Sequence, residues 1–568
     1  MGKLNEINNR SDFANLINVP IQKLTFILYK KKVENLYSSF SIPKKSGGYR
    51  RIYSPHEDLL DIQKKIARLL ATQKNVFQEE NRIKLNISHG FEKNKSIITN
   101  AKIHRNKRFV FNVDLENFFE SFHFGRVKGY FEKNKNFQLP TEVAVILAQL
   151  CCYQGVLPQG APTSPIITNL ICNILDLRLL KLAKKYRLDY TRYADDLTFS
   201  TNDRHFLDLK SAFYYELNGE IKKAGFKLNE KKSNFQYKDS RQMVTGLVVN
   251  KMINVDRNFY KETRAMAHRL YQTGSFTIDN EEADIKQLEG RFAFINQIQW
   301  YNNRIDNEKH NFRSLNTKEK QYQALLFYKY FFANNKPLII TEGKTDIKYL
   351  KSALKKYYNE YPELVTKDEK NNYDFKISFL RRSKRLRYFF DLSLDGADTL
   401  TDFYKRFMSN SYPEKGAINY LMHFKKMSEN KPKNPVIWIF DNEIANKDKP
   451  ICKFINGVKL TEYKKECLKS SQQTLLHDNL FLLTNPLSNG AEECEIEDLF
   501  SEDVLKKEIN GKTFCRDKKV DPEKYYGKEI FSNFIVNEYE RIDFENFKPM
   551  LDNLTLIVRN YRSDSVIP

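Results

Sequence analysis

One stretch constrains this chain more than any other: RYADDLTFS, Arg192 to Ser200, where two adjacent aspartates interrupt a strand-forming run. The pattern predicts strand, tight turn, strand, with Asp195 and Asp196 on the tip. Asp-Asp is ordinary turn chemistry, so the four letters YADD alone leave that origin open. A hairpin tip also lets one carboxylate project while its neighbour supports it. Upstream, RFVFNVD alternates as a strand does and ends on Asp114. Mg²⁺ takes oxygen ligands, so carboxylates from separate elements must converge to hold it. Two such ions about 4 Å apart serve nucleotidyl transfer.

The rest of the chain supplies a setting. Its 568 residues predict two to four domains, each able to bury a core. A formal charge of +23 points to a polyanion such as nucleic acid, against the plainer reading of lysines that keep the chain soluble. The 42 Phe and 32 Tyr are mostly core, with some free to stack on bases. The seven cysteines, Cys151 and Cys152 adjacent and the rest scattered, show no metal spacing, so free thiols in a reducing compartment are expected. The start, MGKLNEINNR, has no apolar signal core, and no run of about 18 apolar residues is present. The reading is cytoplasmic, without a membrane partner.

SIPKKSGGYRRIYSP, Ser41 to Pro55, reads as a basic hairpin, and Leu59 to Leu70 as helix. Helical spacing is expected after Asp114, from Glu142 to Tyr153, from Pro165, and up to Ala224. Residues 258 to 303 read as helical and Tyr301 to Tyr322 as a polar connector. Then PLIITEGKTDIKYLKSAL and PVIWIFDNE alternate strand with helix, which argues a parallel α/β domain.

FNVDLENFFESF, LPQGAPTSP and YADD stand in the order and spacing of reverse transcriptase palm motifs, and the chain resembles that family over about residues 15 to 320. The resemblance implies a right-hand polymerase with fingers, palm and helical thumb. It makes Asp114, Asp195 and Asp196 the catalytic, Mg²⁺-binding carboxylates and Phe119 the aromatic gate under the sugar. Gln159 and Gly160 match the loop that holds the incoming dNTP. Arg50 resembles the arginine that grips the triphosphate, with Arg51, Lys44 and Lys45 as competitors. GFKLNEKKS resembles the next palm motif, with Lys231 or Lys232 near the phosphates.

Two segments narrow the family. NAKIH, Asn100 to His104, and VTG, Val244, Thr245 and Gly246, resemble hallmark segments of bacterial retron reverse transcriptases. Such enzymes bind a structured non-coding RNA (msr-msd), prime from a guanosine 2′-hydroxyl in it, and make branched msDNA. The resemblance implies RNA contacts at those two segments and at thumb positions such as Lys261, Arg264, His268 and Arg269. An amphipathic helix with a solvated basic face fits the thumb positions equally well.

A second set of acids follows. Glu342 ends one apolar strand, and Asp441 and Glu443 end another. Ligands gather beyond the carboxyl ends of parallel strands, although acids there also cap helices. The pieces resemble a Toprim domain, with Glu443 where the second aspartate is usual. YFFDLSLDGADTL resembles its middle strand, with the glycine displaced to Gly396, and EIEDLF adds Glu497 and Asp498. The implied fold class is multidomain, α/β and α+β. The reverse transcriptase takes 1–320, with fingers and palm about 15–250, thumb about 251–305 and connector about 305–325. A Toprim-type domain with a parallel sheet takes 326–568. The implied function is msDNA synthesis with a fused Mg²⁺-dependent nuclease, of RNA or DNA, as effector in anti-phage defence. An intron-type bacterial reverse transcriptase and an RNA-binding scaffold with an inactive second half are the alternatives. Homo-oligomerisation is left open.

Overall fold

The computed structural model describes residues 4–44, 47–81, 86–305, 312–394, 396–397, 399–410, 418–487, 491–516 and 521–564. Two compact units divide the chain, Met1–Arg257 and Asn258–Pro568.

The first unit is built around a four-stranded antiparallel sheet. Its order is Asp189–Tyr193, Asp196–Thr201, Phe109–Asp114, Asn234–Tyr237. Alternation along Phe109–Asp114 drives Phe109, Phe111 and Val113 into one core with Phe199 and Phe213. Helices Glu57–Glu80, Thr141–Cys151 and Ser164–Lys185 add further buried residues to that core. Proline at the start of Ser164–Lys185 suits a helix N-terminus, where its missing N–H costs nothing. The basic hairpin pairs Tyr37–Pro43 with Tyr49–Pro55 in antiparallel register.

One expectation fails after Asp114. Residues 116–120 are turns, and helix resumes only at Phe124. Asn117 takes a left-handed φ of 46°, and the Glu116 N–H is drawn to Lys227 O at 2.8 Å, so the segment is held across to Leu228 instead of coiling.

The second unit centres on a five-stranded sheet in the order Ser378–Phe379, Leu338–Thr341, Val436–Phe440, Leu480–Thr484, Gln473–His477. The first four strands are parallel and the last is antiparallel. Val436, Trp438 and Phe440 face one core while Ile437 and Ile439 face another, so both sides are covered, as a parallel sheet requires. YFFDLSLDGADTL does not form the expected middle strand. Ser383 caps a helix over Lys384–Phe390 that buries Phe389 and Phe390, and Asp391 ends it in left-handed geometry. The parallel neighbour of Leu338–Thr341 on that side is Ser378–Phe379.

The helices read as a thumb, Arg257–Thr273 and Ile285–Ile305, belong to this second unit. Their Leu270, Tyr271, Leu288 and Phe292 share one hydrophobic core with Phe327, Phe424 and Trp438. The expected connector contains a helix, Thr317–Phe327, capped by the reciprocal Asn316–Glu319 pair and buried through Tyr322, Leu325 and Phe327. The compact units thus divide ahead of the boundary expected near 320–326.

Candidate active site

Antiparallel register sets the first acid group. Asp114 lies directly opposite Asp196, and Tyr193 opposite Asp196 closes the turn that carries Ala194 and Asp195. Directly opposed residues hold their Cβ atoms about 4.5–5.5 Å apart. Ala194 has a left-handed φ of 56°, and the Leu115 N–H donates to Asp195 O at 3.1 Å, which fixes the tip. Gly90 packs on that tip so closely that a Cβ would lie 2.6 Å from Ala194 N.

The charges do not balance locally. Asn229 Nδ2 donates to Asp114 Oδ1 at 3.2 Å, and Lys232 Nζ donates to its two oxygens at 3.2 and 3.1 Å. Lys232 is itself 58% exposed. The surrounding recess, then Asp195 and Asp114, push the Asp196 carboxyl up to about 7. Asp196 still meets solvent, so the recess is an open cleft and not a core. Asp195 is likewise raised by its recess and by Asp114, while Lys232 and Arg50 pull it down. An all-oxygen set of crowded carboxylates countered by one half-free lysine suits a divalent cation.

The residues expected around these acids are placed as follows. Lys232, not Lys231, bonds Asp114; Lys231 is exposed. The Tyr53 N–H of the basic hairpin donates to Gln159 O at 2.8 Å, and a Cβ on Gly160 would lie 2.4 Å from Tyr53 O, so only glycine permits this approach. Arg50 is exposed on the same strand, whereas Arg51 bonds Ser39 Oγ at 3.2 Å and lies over the Tyr53 ring. Lys44 is exposed, and Lys45 lies outside the described residues. Phe119 is partly buried, its ring 5.4 Å from Phe118 and 6.5 Å from Phe91.

Asn100 and His104 are completely buried, and so is Val244. His104 bridges the catalytic hairpin, with Nδ1 at 2.8 Å from Ser200 Oγ and Nε2 at 2.7 Å from Thr191 Oγ1. Thr191 Oγ1 donates on to Asn100 Oδ1 at 2.6 Å. Burial, then Lys107 and His89, push the His104 imidazole down to about 3, so it stays neutral. Thr245 and Gly246, with φ of 46° and 81°, form the two-residue turn between Met243–Val244 and Leu247–Val248. Thr245 Oγ1 donates to Ile97 O at 3.4 Å, joining that turn to the helix bearing Asn100. These burials correct the expectation of direct RNA contact at Asn100, His104 and Val244: sealed side chains act as internal struts. Lys261 and Arg264 are exposed on the helix Arg257–Thr273 of the second unit.

A support that sequence reading missed lies beneath the aspartates. Arg192, fully buried, holds Asp176 in a bidentate pair at 2.8 Å per bond and reaches Asn169 Oδ1 at 3.1 Å and Ala194 O at 3.2 Å. Asn169 and Asp176 sit two turns apart on one helix, a spacing visible in the sequence once Arg192 is known to point inward.

The second acid group lies at strand ends of the second unit. Glu342, Asp441 and Asn485 follow three adjacent parallel strands. The Asp441 N–H donates to Glu342 Oε1 at 3.1 Å, while Asp441 Oδ1 accepts from Asn485 Nδ2 at 2.7 Å and Ile496 N at 3.0 Å. Glu443 is buried and paired with Lys449. Two further acids share this group: Asp346, which sequence reading missed, and Glu497, which it named. Asp346 accepts from Gly343 N at 2.8 Å, and the fully buried Glu497 pairs with Lys528 at 3.0 Å. Burial and then Asp346 and Glu443 raise Glu342 to about 8; burial and then Glu497 raise Asp346 to about 6. Burial and then Glu342 raise Asp441. Asp498 is bonded by Arg516 at 2.5 Å.

Among the described residues, no three His, Cys, Asp or Glu side chains stand ready-arranged around a metal position. No helix among them is long and apolar enough to cross a membrane.

Residues 42–264 match the family model of reverse transcriptase (RNA-dependent DNA polymerase). The retron Ec86 reverse transcriptase of Escherichia coli is 32% identical over 292 residues, covering 51% of this chain and 84% of that protein. The retron Mx65 reverse transcriptase of Myxococcus xanthus is 32% identical over 277 residues, covering 46% of this chain and 61% of that protein. Among solved structures, apo telomerase from Candida tropicalis aligns over 51% of this chain and 60% of its own, at 12% identity and a TM-score of 0.30, too slight a likeness to argue from.

Proposed function

The chain belongs to the retron reverse transcriptases, RNA-directed DNA polymerases, and from that premise we propose that it copies a cognate structured non-coding RNA into branched msDNA, primed from an RNA 2′-hydroxyl. The observation that carries this reading is the placement of Asp114 against the Asp195–Asp196 tip in an open, under-neutralised cleft. Asp114, Asp195 and Asp196 would hold Mg²⁺, which when bound supplies the charge that activates the attacking hydroxyl and neutralises the leaving group. The chain's own groups do the rest. Lys232 holds Asp114 in place through both carboxylate oxygens, and Arg50 brings positive charge toward Asp195 for a triphosphate. Gly160 lets the nucleotide loop close on the basic hairpin, and the half-open Phe119 ring tests the sugar for a 2′-hydroxyl.

For the second unit we propose a Toprim-type, Mg²⁺-dependent nuclease that serves as effector in anti-phage defence. Glu342 and Asp441 are the strand-end acids that support it. The pairing of Glu443 with Lys449 favours a second reading, a nucleic-acid-binding unit without cleavage. Expression with and without the neighbouring RNA gene tests both. Branched DNA should appear with the RNA gene and vanish in Asp195→Asn and Asp196→Asn; DNA unchanged in those variants would sink the polymerase reading. Toxicity lost in Glu342→Ala supports the nuclease, and toxicity untouched supports the binding unit.

A further inference from the structure

A cavity of about 730 Å³ opens among three helices of the second unit, Arg257–Thr273, Thr317–Phe327 and Tyr420–Met427. Its floor is apolar, formed by Tyr271, Ala324 and Met427. Its rim is basic: Lys261, Arg264, His268 and Lys320 line it, all exposed and none in an ion pair with a described residue. No carboxylate is among the lining residues.

A second observation points to a ligand. Three tyrosine hydroxyls cluster here. The Tyr328 hydroxyl donates to Leu270 O at 3.0 Å and the Tyr420 hydroxyl to Gln323 Oε1 at 2.7 Å. The Tyr271 hydroxyl is buried with no hydrogen-bond partner. A buried donor left unmade is costly, and Tyr271 is also one of the residues that line the cavity. Small-ligand sites have this volume and this plan of apolar walls with a few convergent polar groups.

We propose that this cavity is a nucleotide-binding site, in which the apolar floor takes a base and the Lys261, Arg264, His268 and Lys320 rim takes a phosphate. The shared chemistry is a phosphorylated nucleoside, free or as one unit of a nucleic-acid strand. The occupant would touch both the helix read as a thumb and a helix packed on the sheet that carries Glu342 and Asp441. This goes beyond the proposed polymerase and nuclease and depends on neither.

The test uses the full chain without divalent metal, so that metal-dependent nucleotide binding in the palm does not contribute. Fluorescent mant-AMP is titrated, with AMP, adenosine, a 5′-phosphorylated oligo(dT) and poly-glutamate as competitors. AMP should compete at least about tenfold better than adenosine, as charge-assisted phosphate bonds demand. The surface double variant Arg264→Glu, Lys320→Glu should weaken binding by about tenfold or more, and Tyr271→Phe by severalfold without loss of melting temperature. AMP competing at least as well as the oligonucleotide identifies a free nucleotide; the oligonucleotide competing better than AMP identifies a strand. Cross-linked 8-azido-AMP should map to Arg257–Thr273 or Tyr420–Met427. Adenosine equal to AMP, poly-glutamate equal to AMP, cross-links only elsewhere, or binding indifferent to both variants would each overturn the proposal.

Discussion

Two groups of carboxylates sit at strand ends in this chain, and they are neutralised differently. In the first unit, Asp114, Asp195 and Asp196 meet through antiparallel register, and among the described residues Lys232 is the one cation in an ion pair with them. In the second, Glu342 and Asp441 meet through parallel strand ends, and the protein has already filled much of the surroundings. Lys449 holds Glu443, Lys528 holds Glu497, Arg516 holds Asp498, and Asn485 with the Ile496 N–H occupies Asp441. The difference teaches what each group awaits. The first is short of positive charge and open to a cation. The second carries built-in cations, which must move aside before a metal takes those oxygens.

The largest expected effect breaks the comparison at its functional end. Asp195→Asn or Asp196→Asn should cut DNA synthesis by about 10³-fold or more, the several kcal/mol that a lost metal ligand removes from the transition state. Glu342→Gln should leave that rate within about twofold, since its unit supplies none of the three acids. A primer-extension assay on an RNA template decides it; equal losses in both would mean one shared chemistry.

Beneath the first group, Arg192→Met should destabilise the first unit by about 3–5 kcal/mol, because Asp176 is left buried and uncompensated. Hydrogen exchange in the strands Phe109–Asp114 and Asp196–Thr201, followed through a urea series, measures it. A loss under about 1 kcal/mol would show that water reaches Asp176 and that the aspartate tip does not rest on this pair.

Much of the first site was legible because its signals are local. YADD, the strand ending on Asp114 and the glycine at 160 each state their geometry within a few residues. What escaped depends on contacts between distant segments. Nothing local tells Arg192 to point inward at Asp176, or tells Lys232 apart from Lys231. The resemblance to retron hallmark segments implied RNA contact at both, yet Asn100 and His104 share the hydroxyl of Thr191 inside the core. The thumb helices were legible as helices, but which core they join rests on contacts such as Tyr271 on the distant Phe424 and Phe292 stacked on Tyr322.

A smaller effect sharpens the contrast in charge. Lys449→Met frees Glu443, and Mn²⁺ affinity of the second unit, read by calorimetry in the Asp195→Asn, Asp196→Asn background, should rise by about tenfold, the order of one released ion pair. Unchanged affinity would show that Glu443 is not among the acids a metal reaches.

The smallest effect concerns pH. His104 is neutral in the fold, its imidazole pushed by burial from an ordinary 6.5 to about 3. The unfolded chain therefore binds a proton that the folded chain refuses. Stability is complete above pH 6.5 and is lost as pH falls from there toward 3. At pH 6 the loss from this one group is just under about 1 kcal/mol relative to pH 7.5. His89, pushed to about 4 by burial and Lys95, adds a loss of the same sign. His104→Gln, though less stable at pH 7.5, should lose less on going to pH 6 than the unmodified chain does, by that same amount. If the two pH dependences coincide, His104 is reached by water, and the buried bridge from Asn100 to the catalytic hairpin does not hold as described.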